Sequence, residues 1–297
     1  ISSGSAFVIH NKTGEILVWV GNENFENPHT GYVDGVIANN QSGSTMKPFL
    51  YAMALERGFA PNAVLPDIPM DFGSSNVYVP QNFNNRYNGP QLFRTCLASS
   101  LNIPAVYLLY RIGVDSFFSK LLSLGFNSLE SKRDQSGLSL ALGSGEVTLF
   151  ELVRAFSVFA RNGVLPELSY YKTSNETIGG TPVFAKDTAG IICSMLSDTN
   201  ARSLGFGNAK VFDTPYTSIF KTGTANQYQD ILALGSTPLY TAGVWMGNIS
   251  GETIISETGS SIPAQVVRLM LDEFERENTS SVNFTEPESY TKRKVCA

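Results

Sequence analysis

Histidine is nearly absent from this chain, two residues in 297, and cysteine is little commoner at three. Cys96, Cys193 and Cys296 form an odd set without Cys-x-x-Cys spacing, which argues against a disulfide framework and against a zinc site. His10 closes a strand-like run beside a turn and His29 lies in loop-like sequence, so both are assigned surface or structural places. A Ser-His-Asp triad therefore has little to build on. Charged residues make up 16% of the chain with a formal net charge of −5, so no basic excess invites nucleic acid or an anionic membrane surface. No apolar run reaches the roughly 18 residues that a bilayer-spanning helix needs. The first residue is Ile1, with neither an initiator methionine nor a signal-peptide pattern, and a fragment or processed product is expected.

Hydrophobic residues, 42% of the chain, are ample for a core. Residues 6–10 and 15–20 are β-branched and aromatic runs separated by Asn11-Lys12-Thr13-Gly14, which predicts a hairpin. Residues 218–223, 230–235 and 240–247 have the same character near the other end. Amphipathic helices are predicted over 47–57, 104–112, 115–124, 148–162, 187–196 and 264–274, with Thr148 and Glu151 as a capping box and Asp187 as an N-cap. Residues 61–90, rich in Pro, Asn, Gly and Asp, form a long irregular segment of the kind that is functional or mobile. The expected fold class is α+β: a five-stranded antiparallel sheet built from both chain ends, packed by helices, with a largely helical inserted subdomain. Residues 1–276 are assigned to this one domain, and 277–297 to a polar tail leading to an absent downstream segment.

Three short motifs carry chemistry. Ser44-Thr45-Met46-Lys47 stands where a helix begins, because Pro48 fits only in a first turn. Residues three apart share a helix face, so the Ser44 hydroxyl and the Lys47 amine can come within hydrogen-bond reach, pairing a nucleophile with a base. Ser100-Leu101-Asn102 precedes Ile103-Pro104 and is placed in a turn before a helix. Lys221-Thr222-Gly223-Thr224 continues a strand; a lysine on an edge strand is ordinarily a solvated charge, whereas a strand glycine marks close approach of a ligand or another backbone.

Ser-x-x-Lys, Ser-x-Asn and Lys-Thr-Gly in this order are close to the signature set of penicillin-binding proteins and class A β-lactamases. The chain resembles the transpeptidase domain of a class A penicillin-binding protein, particularly its C subtype, from about Ser5 to Phe274. The likeness extends through residues 43–51, Gly137-Leu138-Ser139-Leu140-Ala141-Leu142-Gly143 and Val244-Trp245-Met246-Gly247-Asn248. It implies a D,D-transpeptidase of peptidoglycan in which Ser44 attacks the penultimate D-alanine carbonyl of a stem peptide and Lys47 takes its proton. Ser100 and Lys221 complete the catalytic set, Lys221 lowering the Lys47 pKa and Ser100 returning a proton to the leaving amine. The backbone N–H groups of Ser44 and Thr224 form the oxyanion hole. Thr222 and Thr224, with Lys221, hold the terminal carboxylate; Asn102 binds the donor amide, and Gly223 leaves room for the substrate backbone.

A β-lactam would enter as a D-Ala-D-Ala mimic and acylate Ser44. The implied partners are donor and amine-acceptor stem peptides, β-lactam antibiotics, and an upstream glycosyltransferase domain and membrane anchor. The implied place is the extracytoplasmic, periplasmic face of a bacterial cytoplasmic membrane, this piece itself being soluble, and no cofactor, metal or nucleic acid is expected. The second motif departs from the Ser-Asp-Asn of class A β-lactamases, and no Glu-x-x-x-Asn box follows, since Phe150 stands four residues after Glu146. Glu146 and Glu151 are read as helix-start residues. A missing water-activating carboxylate favours transpeptidase over β-lactamase. The alternatives are a D,D-carboxypeptidase or endopeptidase and a non-catalytic β-lactam-binding sensor.

Overall fold

Strict alternation of side chains decides how the central sheet is covered. The computed structural model describes residues 1–26, 31–73, 77–172, 176–225, 229–248, 252–254, 257–278, 282–291 and 293, so His29 and Cys296 lie outside the described residues. Five antiparallel strands form the sheet: β1 (Ser3–His10), β2 (Ile16–Val20), β3 (Ile219–Thr224), β4 (Asp230–Ser236) and β5 (Tyr240–Gly247). Their spatial order is β2-β1-β5-β4-β3, which joins the two chain ends through Ala6 opposite Val244 and leaves β3 at one edge. This is the α+β sheet expected from the sequence.

Successive strand residues point to opposite faces. Val8, Phe220, Ala233, Ala242 and Val244 pack with Ala264, Val267 and Leu271 of the C-terminal helix, while Phe7, Ile9, Ile219, Leu232, Leu234 and Trp245 join the larger core on the other face. That larger core is built by the inserted residues between β2 and β3. Its helices are α1 (Lys47–Glu56), α2 (Phe93–Ala98), α3 (Asn102–Ile112), α4 (Val114–Ser123), α5 (Leu149–Phe156) and α6 (Lys186–Leu196); Phe206 of the short α7 (Ser203–Phe206) packs with the other cluster, and α8 (Ile262–Glu275) is the helix on that opposite face. Helix α5 begins with the expected capping box: Glu151 N donates to Thr148 Oγ1 at 3.1 Å and Thr148 N to Glu151 Oε2 at 3.1 Å.

Three local expectations are corrected. Asp187 does not cap α6, whose N-cap position is Ala185; its carboxylate accepts the N–H groups of Glu288 and Ser289 instead, at 2.9 Å each. Residues 285–289 of the polar tail thus lie along α6, where a Cβ on Gly190 would sit 2.7 Å from Thr285 O. Glu146 starts no helix, because it lies in the two-residue strand Glu146–Val147 opposite Gln41 and binds Lys132. The 61–90 segment is not wholly irregular either: Val64–Asp67 pairs with Gly89–Leu92. Cys96 and Cys193 are buried and free.

Candidate active site

The nucleophile motif is held in one tight turn of backbone pressed against the edge strand. Gly43–Met46 forms a single 3-10 turn that runs directly into α1, with Lys47 N donating to Ser44 O and Pro48 in the first turn where its missing N–H costs nothing. Gly43 has a φ of +53°, which glycine adopts freely, and a Cβ there would meet Thr224 N and O of β3 at 2.8 Å. Gly223 makes the same closeness from the strand side, since its Cβ would lie 2.5 Å from Ser42 O. Two glycines therefore let the edge of the sheet lie against the turn that carries Ser44.

Ser100 and Leu101 of the second motif lie in the link between α2 and α3 as expected, but Asn102 is the first residue of α3 and not part of the turn before it, because Leu101 is the N-cap. Ser100 has a φ of +58°, the left-handed region that L side chains rarely hold without tertiary support. The support comes from Lys47, whose Nζ donates to Ser100 O at 2.6 Å, to Asn102 Oδ1 at 2.6 Å and to Ser100 Oγ at 3.3 Å. Lys221 Nζ reaches the same hydroxyl from the sheet, at 2.8 Å, and donates to Thr222 O at 2.9 Å. Ser100 Oγ is thus the atom shared by the two lysines. One hydroxyl can accept from a protonated Lys221 and donate its own hydrogen to an unprotonated Lys47.

Lys221 is no solvated edge charge: it is 3% exposed, and Lys47 is fully buried. Burial lowers the Lys47 pKa well below the ordinary lysine value, and the neighbouring Lys221 lowers it further. Lys221 is itself pushed down to about 7 by burial. The sign of the linkage follows, because an unfolded Lys221 binds its proton up to about pH 10.4 whereas the folded one releases it near pH 7. The destabilisation from burying this charge is fully present below pH 7 and is relieved as pH rises toward 10. Urea unfolding of wild type and Lys221→Met at pH 7 and pH 10 should show the stability of wild type relative to the variant rising across that interval. A difference that stays flat would contradict the assignment.

Ser44, Ser100, Asn102, Thr222 and Thr224 all line one open cleft. Lys47, Lys221 and Gly223 are not among its lining residues; the two lysines meet it through Ser100 Oγ. One expected contact is not made: Ser44 Oγ has no hydrogen bond to Lys47, whose ammonium is engaged by the Ser100 and Asn102 oxygens instead. Asn102 is engaged at both ends, its Nδ2 donating to Gln81 O at 2.7 Å.

Sequence reasoning missed several walls of the cleft: Asn82, Phe83 and Asn84 from the 61–90 segment, Leu204, Gly205 and Phe206 from α7, and Thr258 and Ser260 before α8. Among these, only the amide-dense run Gln81-Asn82-Phe83-Asn84-Asn85 offered a sequence signal. Thr258 and Ser260 reach the cleft because Gly259 lies against β3 and β4, where a Cβ would sit 2.4 Å from Gly223 O and 2.2 Å from Leu232 O. Among the described residues that line the cleft none is a carboxylate.

A helix-borne Ser-x-x-Lys, a serine on the helical side and a lysine on the sheet edge, gathered on a five-stranded antiparallel sheet, define a protein of the penicillin-binding and β-lactamase-like class. Within it, the model of the penicillin binding protein transpeptidase domain matches residues 4–247, and the chain belongs to that family. It is 29% identical over 304 residues to Penicillin-binding protein 1C of Escherichia coli (strain K12), a match taking in 99% of this chain and 37% of that protein. It is 31% identical over 309 residues to Penicillin-binding protein 1F of Bacillus subtilis (strain 168), covering 97% and 41%. These relatives are consistent with a class A transpeptidase domain of the C subtype. The crystal structure of Penicillin-Binding Protein 1A from Haemophilus influenzae superposes with a TM-score of 0.82 at 22% identity, over 96% of this chain and 49% of that one, and shows the same fold. The chain spans about two fifths of the length of the two curated relatives.

Proposed function

We propose that this domain is a D,D-transpeptidase that cross-links peptidoglycan stem peptides through an acyl-enzyme on Ser44. The observation that carries the reading is the single hydroxyl of Ser100 held between Lys47 and Lys221, at 3.3 and 2.8 Å, in the cleft that Ser44 lines. Neutral Lys47 takes the Ser44 proton as Oγ attacks the penultimate D-alanine carbonyl. Ser44 N and Thr224 N receive the developing oxyanion. Collapse breaks the C–N bond, and the leaving D-alanine nitrogen takes a proton from the Ser100 hydroxyl, which is replenished from the lysines. An acceptor amine then attacks the ester, gives up one proton, and restores the Ser44 hydroxyl.

Lys221, Thr222 and Thr224 hold the terminal carboxylate of the donor. Asn102 has a second N–H on Nδ2 beyond the one given to Gln81, and that hydrogen serves a donor-peptide carbonyl. Gly223 keeps the edge of β3 clear, so an extended peptide can lie along the strand. A β-lactam follows the same route as far as the ester.

The uncharged lining supports transfer over hydrolysis, because no carboxylate among the described lining residues stands ready to activate water. The place of the domain outside a bacterial cytoplasmic membrane, and an upstream glycosyltransferase domain and anchor, belong to the same proposal. Incubation with a D-Ala-D-Ala peptide is expected to release D-alanine and, with an acceptor amine present, to give mostly the cross-linked amide. Free carboxylate as the main product despite saturating acceptor would mark a carboxypeptidase or endopeptidase. A stable penicillin adduct with no turnover of either kind would mark a sensor.

A further inference from the structure

Two lysines buried side by side need a counter-charge, yet among the described residues neither Lys47 nor Lys221 has an ion-pair partner within 4 Å. The carboxylate that acts on Lys47 is Asp67, in the Val64–Asp67 strand, fully shielded from solvent. It accepts from Asn82 Nδ2 at 2.8 and 3.0 Å, from Asn88 N at 2.9 Å and from Asn88 Nδ2 at 2.6 Å. None of these residues belongs to the three motifs.

The hydrogen bonds form a chain with a fixed direction. An ionised carboxylate only accepts, so it turns the Asn82 amide with nitrogen toward Asp67 and oxygen away. That oxygen, Asn82 Oδ1, accepts Asn102 N at 2.7 Å, one of the donors left without an intrahelical partner at the start of α3. Asn102 Nδ2 is spent on Gln81 O, so Asn102 Oδ1 faces Lys47 Nζ at 2.6 Å. Asp67 is thus linked through the Asn82 amide to the backbone N–H of Asn102, whose own side-chain oxygen meets the Lys47 amine.

We propose that Asp67 is a positioning residue of the acyl-transfer centre, a buried counter-charge that orients the Ser100-Leu101-Asn102 motif, and with it Lys47, through Asn82. The inference rests on the functional reading above and adds a residue that acts on the base without touching substrate. It also gives a part to Gln81 and Asn82 of the 61–90 segment, which hold Asn102 by its side chain and its backbone N–H. The groups facing Lys47 from the packed elements are Lys221 of β3, Asp67 and Cys96, of which Lys221 opposes protonation and Asp67 favours it. Tyr51, one turn along α1, is raised by burial and by the same Cys96 and Asp67. The Cys96 thiol is raised by burial, so it stays neutral and leaves Asp67 as the negative charge near Lys47.

The test is the titration of Lys47, followed through the 13Cε shift in lysine-labelled protein and assigned by loss of the signal in Lys47→Met. Asp67→Asn should move the midpoint down by about one pH unit, the size expected for losing a nearby opposite charge, while Asp67→Glu keeps it within a few tenths. The acidic limb of acylation by benzylpenicillin should follow the midpoint downward in Asp67→Asn, with a plateau about 10-fold lower from the loosened Asn102. A folded Asp67→Asn protein whose Lys47 midpoint does not move would overturn the proposal. Should that variant fail to fold, Asn82→Ala takes its place: acylation reduced at least several-fold with the Lys47 midpoint held supports the chain, and unchanged acylation overturns it. A wild-type protein that forms no Ser44 adduct sinks the functional reading alone, since the lysine titration still judges the role of Asp67.

Discussion

Lys47→Met should lower the rate of Ser44 acylation by about 1,000-fold, in the middle of the range for losing a general base. Lys47 has no exposed surface, and its amine is the only basic nitrogen within hydrogen-bond distance of both Ser100 O and Asn102 Oδ1 among the described residues. Methionine has nearly the same length and suits the same buried position, so the loss is chemical. Thermal stability should hold or rise in the same variant, because removing a buried amine removes its desolvation cost, while Ser100 O and Asn102 Oδ1 lose a donor. The pair of readouts distinguishes this account from a structural role for Lys47. A rate within 10-fold of wild type, or a fall in rate matched by a fall in melting temperature, would contradict it. A benzylpenicillin time course read by intact mass, beside a thermal melt, measures both.

Gly43→Ala is expected to cost about 100- to 1,000-fold in acylation, the effect of losing one oxyanion donor. The added methyl would stand 2.8 Å from Thr224 N and O and must push β3 away from the Ser44 turn. Ser44 N and Thr224 N would no longer converge on one oxygen. The positive φ of Gly43, +53°, adds backbone strain of about 1–3 kcal/mol. Gly58→Ala separates the two effects: Gly58 also has a positive φ, +92°, but nothing lies within 4 Å of its Cβ position. That control should lose stability and keep its acylation rate. Equal rates in the two variants would show that closeness of Gly43 to Thr224 does not set the oxyanion site.

The five strands were legible because each is a short β-branched and aromatic run set off by turn residues, as suits a sheet covered on both faces. Val8 against Phe7 and Ile9, or Ala233 against Leu232 and Leu234, is that pattern made physical. Helix α5 was legible from its capping box, which is a local device. What sequence could not supply was depth. Lys221 reads as an edge lysine, and only the packing of β3 against the Gly43–Met46 turn makes it buried. The left-handed Ser100 and the role of Asn82 were hidden for a similar reason, since both depend on contacts more than ten residues away in the chain. Glu146 was misplaced because a two-residue strand leaves no periodic trace, and Asp187 because its partners, Glu288 and Ser289, come from the tail.

Charge burial also explains a tension within the molecule. Two lysines kept out of water weaken the fold at neutral pH, and the same burial shifts both amines toward the neutral form, the direction the proposed reaction needs. Stability is given up at the site where reactivity is required.

The central claim is that this cleft makes Ser44 the acylated atom. Intact mass followed by peptide mapping after benzylpenicillin, on wild type and Ser44→Ala, addresses it directly. The account predicts one penicilloyl group, on the peptide that contains Ser44, and none on the alanine variant. An adduct on any other residue, or one that survives in Ser44→Ala, would contradict it.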